Sequence, residues 1–197
     1  MAESDLRLVH CRMLATNQRR QAAGLVITSF AEFYARMKLD PGRLLDLITD
    51  ELALEGTELE HVVAAIGGGE IRGIMCSYPS DELKQRQIAS LFHMASGLNS
   101  NEEELLFNEL STHAASTPKL PEQSYYLARL AVARQYQNQG VANFLLLRFA
   151  GLGNLFSCLS LHVLESNARA VAFYRNHGFQ VFGDGSLPYV CMSARLN

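Results

Sequence analysis

Apolar residues recur at spacings of three and four from Ala22 through Leu25, Val26, Phe30, Phe33 and Tyr34 to Met37. That rhythm predicts one long helix over 17–37. Ahead of it, Leu6 to Met13 reads as a strand. Asp40-Pro41 places an N-cap before a proline at the first helical position and predicts a second helix, Pro41 to Leu54. Two strand-like runs follow, Glu60 to Ile66 and Ile71 to Ser77. Gly67-Gly68-Gly69-Glu70 between them predicts a hairpin, because glycine accepts positive φ.

Residues 80–120 then read as an insertion. Asp81 to Ser96 predicts a helix with Leu83, Ile88, Leu91, Phe92 and Ala95 on its apolar side. Gly97 interrupts it, and Ser100-x-x-Glu103 predicts a capping box that opens a second amphipathic helix through Leu105, Leu106 and Leu110. Pro118 and Pro121 mark the return. From there strand and helix alternate: Ser124 to Val132, a glycine turn, a helix from Val141 to about Ala150, and a strand from Leu159 to Leu164. A helix from Asn167 to Asn176 comes next. Phe179 to Phe182 and Tyr189 to Ser193 close the chain as a hairpin around Gly183-Asp184-Gly185.

Composition narrows the function classes. Hydrophobic residues make up 48% of the 197, enough for a sizeable core. Lys and Arg number 17 against 20 Asp and Glu, a net charge of −3 that disfavours nucleic acid as a partner. No apolar run approaches a bilayer span, and the polar, acidic start at Met1 to Asp5 is unlike a secretory signal. Cys11, Cys76, Cys158 and Cys191 are scattered in apolar runs without a paired spacing. They read as small buried hydrophobes of a reducing, cytoplasmic compartment rather than as metal ligands or disulfides.

The chemistry concentrates in two segments. Gln137-Asn138-Gln139-Gly140-Val141-Ala142 lies between a strand and a helix. The first N–H groups of a helix lack internal partners, and the dipole adds partial positive charge there, so such a turn cradles an anion. No lysine of the phosphate-loop type accompanies it, which points to a docked diphosphate held by backbone rather than to phosphoryl transfer. Read alone, the turn is better explained by close packing of small residues. In the second segment Asn167, Ala170, Val171 and Tyr174 share one helical stripe that ends at Gly178-Phe179. A tyrosine packed into the core is the plainer reading of that stripe.

Taken together, the two segments resemble the GNAT superfamily of acyl-CoA-dependent N-acyltransferases. Gln137, Gly140 and Ala142 match its Gln/Arg-x-x-Gly-x-Gly/Ala signature, with Ala142 as the permitted alternative to glycine. Asn167, Ala170, Tyr174, Gly178 and Phe179 match its second motif. The likeness is specific over 124–182; before that it rests on the order of elements.

The resemblance implies an α/β fold with a central mixed, mostly antiparallel sheet flanked by helices. One N-acetyltransferase domain would cover 1–197, carrying the 80–120 helical insertion. It implies acetyl-CoA as cosubstrate and no metal. Leu130 and Val132 would pair with the pantetheine arm. Gln137, Asn138, Gln139, Gly140, Val141 and Ala142 would hold the pyrophosphate, and Asn167, Ala170 and Phe173 would lie along the cofactor. An amine would attack the thioester directly, and Tyr174 would protonate or hydrogen-bond the departing sulfur. The acceptor would be an amine-bearing small molecule or peptide.

Glu165, His162, Tyr125 and Tyr126 stand as unranked candidates for the base. His177 is read as a cation favoured by a helix C-terminus. Phe30, Phe33 and Tyr34 read as core or as acceptor wall. The insertion reads as acceptor wall, sheet-edge cover or homodimer contact. The rival functions are a non-catalytic acyl-CoA-binding regulatory module and a scaffold acting through the inserted helices.

Overall fold

The structure, a computed structural model, describes residues 5–183 and 187–195. Asp184 and Gly185 of the expected last turn, and Met1 to Ser4, lie outside the described residues. Seven strands make one sheet: β1 (Arg7–His10), β2 (Val62–Gly67), β3 (Glu70–Pro79), β4 (Ser124–Val132), β5 (Cys158–Leu164), β6 (Gln180–Phe182) and β7 (Tyr189–Arg195). Their order is β1-β2-β3-β4-β5-β7-β6. Short glycine turns make antiparallel neighbours, as between β2 and β3, where Gly68 and Gly69 take φ of 61° and 81°. Only β4 and β5, joined through a helix, run parallel. The sheet is thus mixed and mostly antiparallel, as the resemblance implies.

The helices are α1 (Thr16–Ser29), α2 (Ala31–Arg36), α3 (Pro41–Glu51), α4 (Leu83–Ser96), α5 (Ser100–Ala115), α6 (Val141–Leu152) and α7 (Ala168–Asn176). The single long helix expected over 17–37 is in fact two. The Thr28 and Ser29 hydroxyls donate back to the carbonyls of Gly24 and Val26, at 2.8 and 2.6 Å, and compete with the helix ladder. Phe30 then leaves the helical region at φ −136°. The first strand is also shorter than expected, since Cys11–Met13 turns into a 3-10 helix. The capping box of α5 sits one residue earlier than expected. Asn99 Oδ1 accepts from the Glu102 N–H, and Glu102 Oε2 accepts from the Asn99 N–H.

The inserted pair, α4 and α5, packs on α2, α3 and the 58–61 turn rather than over a sheet edge. Arg43 links it to α3 through Glu102 at 2.8 Å and through the Gly97 carbonyl. Leu47 fills the space a side chain at Gly97 would need.

Two apolar clusters cover the two sheet faces. One gathers α1, α2, α3 and the insertion around Val26, Phe33, Ile48, Tyr78 and Leu106. The other gathers α6 and α7 around Met75, Leu145, Phe149, Leu161 and Val171. Strand β4 separates them and carries a bulge. Cys76 pairs with Arg129 while its neighbour Ser77 pairs with Leu127, so Ala128 is the extra residue. The alternation shifts there. Leu127 and Leu130 face α6, whereas Tyr126, Ala128 and Ala131 face the α1 side. Arg129 lands on the α1 side too, over the Phe30 ring at 4.6 Å.

That placement buries an ionic cluster. Arg129 Nη2 lies 3.1 Å from Glu58 Oε1, with both side chains about nine-tenths buried. The Tyr78 hydroxyl donates to the same oxygen at 3.3 Å. Glu51, 2% exposed, accepts from Ser90 Oγ at 2.5 Å. Burial pushes its carboxyl up to about 7. Three of the four cysteines are buried; desolvation pushes the Cys11 and Cys191 thiols up to about 12, so they are inert.

Two outcomes follow for stability. A Cβ at Gly73 would lie 2.8 Å from the Ala131 carbonyl and 3.1 Å from Val141 and Leu145, where α6 meets the sheet. Gly73→Val should destabilise the fold by about 1–3 kcal/mol in urea unfolding. For Glu51, the native state keeps a proton that the unfolded chain releases above its ordinary carboxyl range. Stability is therefore lost as pH rises toward about 7. Relative to the parent, Glu51→Gln should gain about 1–3 kcal/mol between about pH 5 and about pH 7.5, read by denaturant unfolding at each pH.

Candidate active site

The site begins where β4 and β5 part. Their pairing runs from Ser124–Cys158 to Leu127–Leu161 and stops, although β4 continues to Val132 and β5 to Leu164. From Ala128 onward one edge of β4 has no strand partner, and unpaired backbone inside a sheet seeks another hydrogen-bonding group. Beyond Val132 the chain makes a 3-10 turn at Arg134–Tyr136 and reaches Gly140, the N-cap of α6, at φ 83°. Asn138 is also left-handed, at φ 61°. No side chain caps α6, so the N–H groups of its first turn stay free beside the opening.

A cleft of about 600 Å³ occupies this place. Leu130, Val132, Gln137, Asn138, Gly140, Val141 and Ala142 line one side. Asn167, Ala170, Phe173 and Tyr174 line the other. The structure thus gathers the sequence-derived set into one hollow, with one exception. Gln139 turns its side-chain amide back to the Gln135 carbonyl at 2.8 Å and does not line the cleft. Asn167 is the N-cap of α7, its Oδ1 accepting from the Ala170 N–H at 3.1 Å. Only its amide NH₂ is left for other partners.

Arg169 corrects the expectation of an anion site without a fixed cation. Its guanidinium donates to Gln137 Oε1 at 3.3 Å and Asn138 Oδ1 at 2.9 Å, laying positive charge across the turn. It lies 31 residues from Asn138, at a position the second motif leaves unspecified; only the juxtaposition of the α6 and α7 N-termini reveals it.

Tyr174 stands at the inner end of the cleft, its ring edge-on to Phe173 and Phe179. Desolvation holds its phenol well above the ordinary tyrosine value. At neutral pH it is a proton donor.

The base candidates separate by position. Glu165 is exposed and lines none of the hollows at the site. Tyr125 is stacked on Phe149 under α6 and lines neither hollow at the site. His177 is exposed at the end of α7, as a solvated helix-terminal residue would be. Tyr126 and His162 remain, at the mouth of the β4–β5 gap. His162 Nε2 lies 2.8 Å from the Pro118 carbonyl and Nδ1 lies 3.2 Å from Tyr126 Oη. A carbonyl only accepts, so Nε2 carries the proton and the tyrosine hydroxyl donates to Nδ1. His113, from α5, joins them, edge-on to Phe30 and Tyr189. Burial pushes both histidines down to about 4, so both are neutral near pH 7. Phe30, stacked on Phe33, packs between Arg129 and His113. The break after Ser29 therefore brings Phe30 to the site, while Phe33 and Tyr34 are core.

Among the described residues, no cluster of His, Cys, Asp and Glu is arranged to hold a metal ion, and no helix is long and apolar enough to cross a membrane.

Solved structures that share this fold include acetyltransferases. An N-acetyltransferase from Staphylococcus aureus superposes with a TM-score of 0.70 at 19% identity, over 95% of this chain and 100% of that one. A PaiA N-acetyltransferase from Thermoplasma acidophilum, solved with coenzyme A, has a TM-score of 0.55 at 13% identity and full coverage of both chains. No curated protein matches in sequence. Residues 29–179, which hold the cleft, both motifs and the insertion, match the acetyltransferase (GNAT) family along their whole length, and the chain belongs to that family.

Proposed function

We propose that the protein moves an acetyl group from acetyl-CoA to a primary amine by direct attack of the amine on the thioester. The observation that carries this reading is the cleft itself. Free N–H groups and Arg169 lie at one end, an unpaired strand edge runs along its middle, and a protonated tyrosine closes the other end. Family membership and the neighbour bound to coenzyme A support it.

The residues present fit the donor. The turn from Gln137 to Ala142 offers backbone N–H groups to a pyrophosphate, and Arg169 adds the charge that backbone lacks. The main chain of Leu130 and Val132 pairs with the amide groups of the pantetheine arm as a strand would. Asn167 donates its free amide, and Ala170 and Phe173 give the arm an apolar flank. The acyl thioester, when bound, supplies an activated carbonyl. As the amine nitrogen bonds to the carbonyl carbon and the carbon–sulfur bond breaks, Tyr174 gives its phenolic proton to the sulfur. The proton shed by the amine restores the phenol through water. A phenol suits this task because it holds its proton until a thiolate forms beside it. No side chain is acylated, consistent with the buried thiols.

Calorimetric titration should show binding of both acetyl-CoA and CoA; absence of both would end this reading. Tyr174→Phe should lower kcat by roughly a hundredfold while moving the KM for acetyl-CoA less than about threefold. A thiol-release assay with an amine panel reports this and also separates catalysis from mere cofactor binding. Arg169→Gln should weaken CoA binding by roughly fivefold at low salt, with a smaller loss in high salt because the guanidinium is exposed. A loss independent of salt would remove the charge from this role.

A further inference from the structure

Three hollows adjoin along the open side of β4. The cofactor cleft shares Leu130, Asn167, Ala170 and Tyr174 with a chamber of about 260 Å³ at the β4–β5 gap. That chamber shares His113, Tyr126 and His162 with a groove of about 780 Å³ between the inserted helices and the 117–123 return. His113, Tyr126 and His162, which line both hollows, are the side chains that stand between a molecule in the groove and the chamber at the tyrosine end of the cleft. The volume falls within the range of small-molecule sites.

The groove is built to hold apolar matter. Leu83, Ile88, Leu91, Leu110, Pro118 and Leu120 form its walls. Ile88 stands among them and is 44% exposed. Charged residues occur only at the exposed rim, and their signs cancel: Asp81 and Glu122 against Lys84 and Lys119.

The inner wall carries no counter-ion for an ammonium. His113 and His162 are neutral, both pushed down to about 4 by burial. Behind them Arg129 and Glu58 neutralise each other as an ion pair, and burial pushes the Glu51 carboxyl up to about 7. The acid that lines the chamber, Glu32, stands at its exposed side. A cation driven to this wall would lose its hydration without a counter-charge. A neutral amine needs only a hydrogen-bond acceptor. Tyr126 Oη spends its proton on His162 Nδ1 and keeps lone pairs for an incoming N–H.

We propose that this groove is the acceptor site, and that it takes a primary amine on an uncharged alkyl or arylalkyl body, with the nitrogen seated against Tyr126 Oη. The inference rests on the acetyltransferase reading above and adds the substrate class. Affinity comes from the buried hydrocarbon, while polyamines and amino acids bring second charges that the walls cannot match. The insertion is the device that makes the choice, since α4 and α5 supply Leu83, Ile88, Leu91 and Leu110.

The test is a thiol-release assay with acetyl-CoA against hexylamine, phenethylamine, spermidine, glycine and a tripeptide with a free N-terminus. Hexylamine and phenethylamine should exceed the others in kcat/KM by roughly tenfold or more. Ile88→Glu, at a position already open to solvent, should raise the KM for the two apolar amines by roughly tenfold and leave the KM for acetyl-CoA unchanged. Hexanol, a non-reacting mimic, should bind the parent in the presence of CoA and fail to bind Ile88→Glu in calorimetry. Preference for spermidine, glycine or the peptide would overturn the inference, as would an unchanged amine KM in Ile88→Glu. So would a dimer in sedimentation that Ile88→Glu dissociates, since a second copy would then fill the groove. Failure of CoA to bind would instead strike the acetyltransferase reading. CoA binding with turnover of the wrong amine class would strike this inference alone.

Discussion

The functional face follows from β4 releasing β5 after Leu127. A parallel pair in mid-sheet normally continues, because each unpaired N–H or carbonyl left there lacks a partner. Here the bulge at Ala128 re-aims the strand where the pairing ends. The same extra residue turns Arg129 from the α6 side to the α1 side, where Glu58 and Phe30 receive it. One inserted position thus opens the sheet, exposes an edge and lays an ion pair behind the opening. Without the extra residue every position from Arg129 onward would change face, and the guanidinium would enter an apolar cluster.

The two sides of the opening are made of different materials. On the α6–α7 side the groups aimed at the cleft are largely main chain: the edge of β4, the left-handed Gly140 and an uncapped first turn. On the α1 and insertion side they are side chains, with Tyr126, His113, His162 and the aliphatic walls of the groove. Burial sets the electrical character of each. It holds the proton on Tyr174 and keeps it off the histidines, so one end gives a proton while the other stays neutral.

What could be read in the sequence was whatever is local. The Asn167, Ala170 and Tyr174 stripe repeats with the helix, and Gly140 sits between a strand and an apolar helix, so both segments and the fold class were legible. Where long-range geometry decides, the reading failed. Arg169 meets the turn through packing between two helix N-termini, and Arg129 meets Glu58 across 71 residues of chain. The break at Phe30 was hidden because its apolar spacing continues unbroken; the hydroxyls of Thr28 and Ser29 are what stop the ladder. The capping box slipped by one because Asn99 and Ser100 are both good caps, and Glu102 is the acid that also reaches Arg43. The groove could not be foreseen, since its walls come from separate stretches that meet only when the insertion docks.

A recognition surface made of main chain is indifferent to most side-chain replacement. An N–H at the start of α6 remains an N–H whichever residue carries it, provided Gly140 keeps its φ. Such a surface can persist while the letters drift. The opposite wall has no such protection, because each replacement there alters shape or polarity directly. Evolutionary change should therefore be heard on the two sides at different volumes. Substitutions near the turn are quiet unless they disturb backbone torsion, and substitutions in the inserted helices retune the pocket one residue at a time.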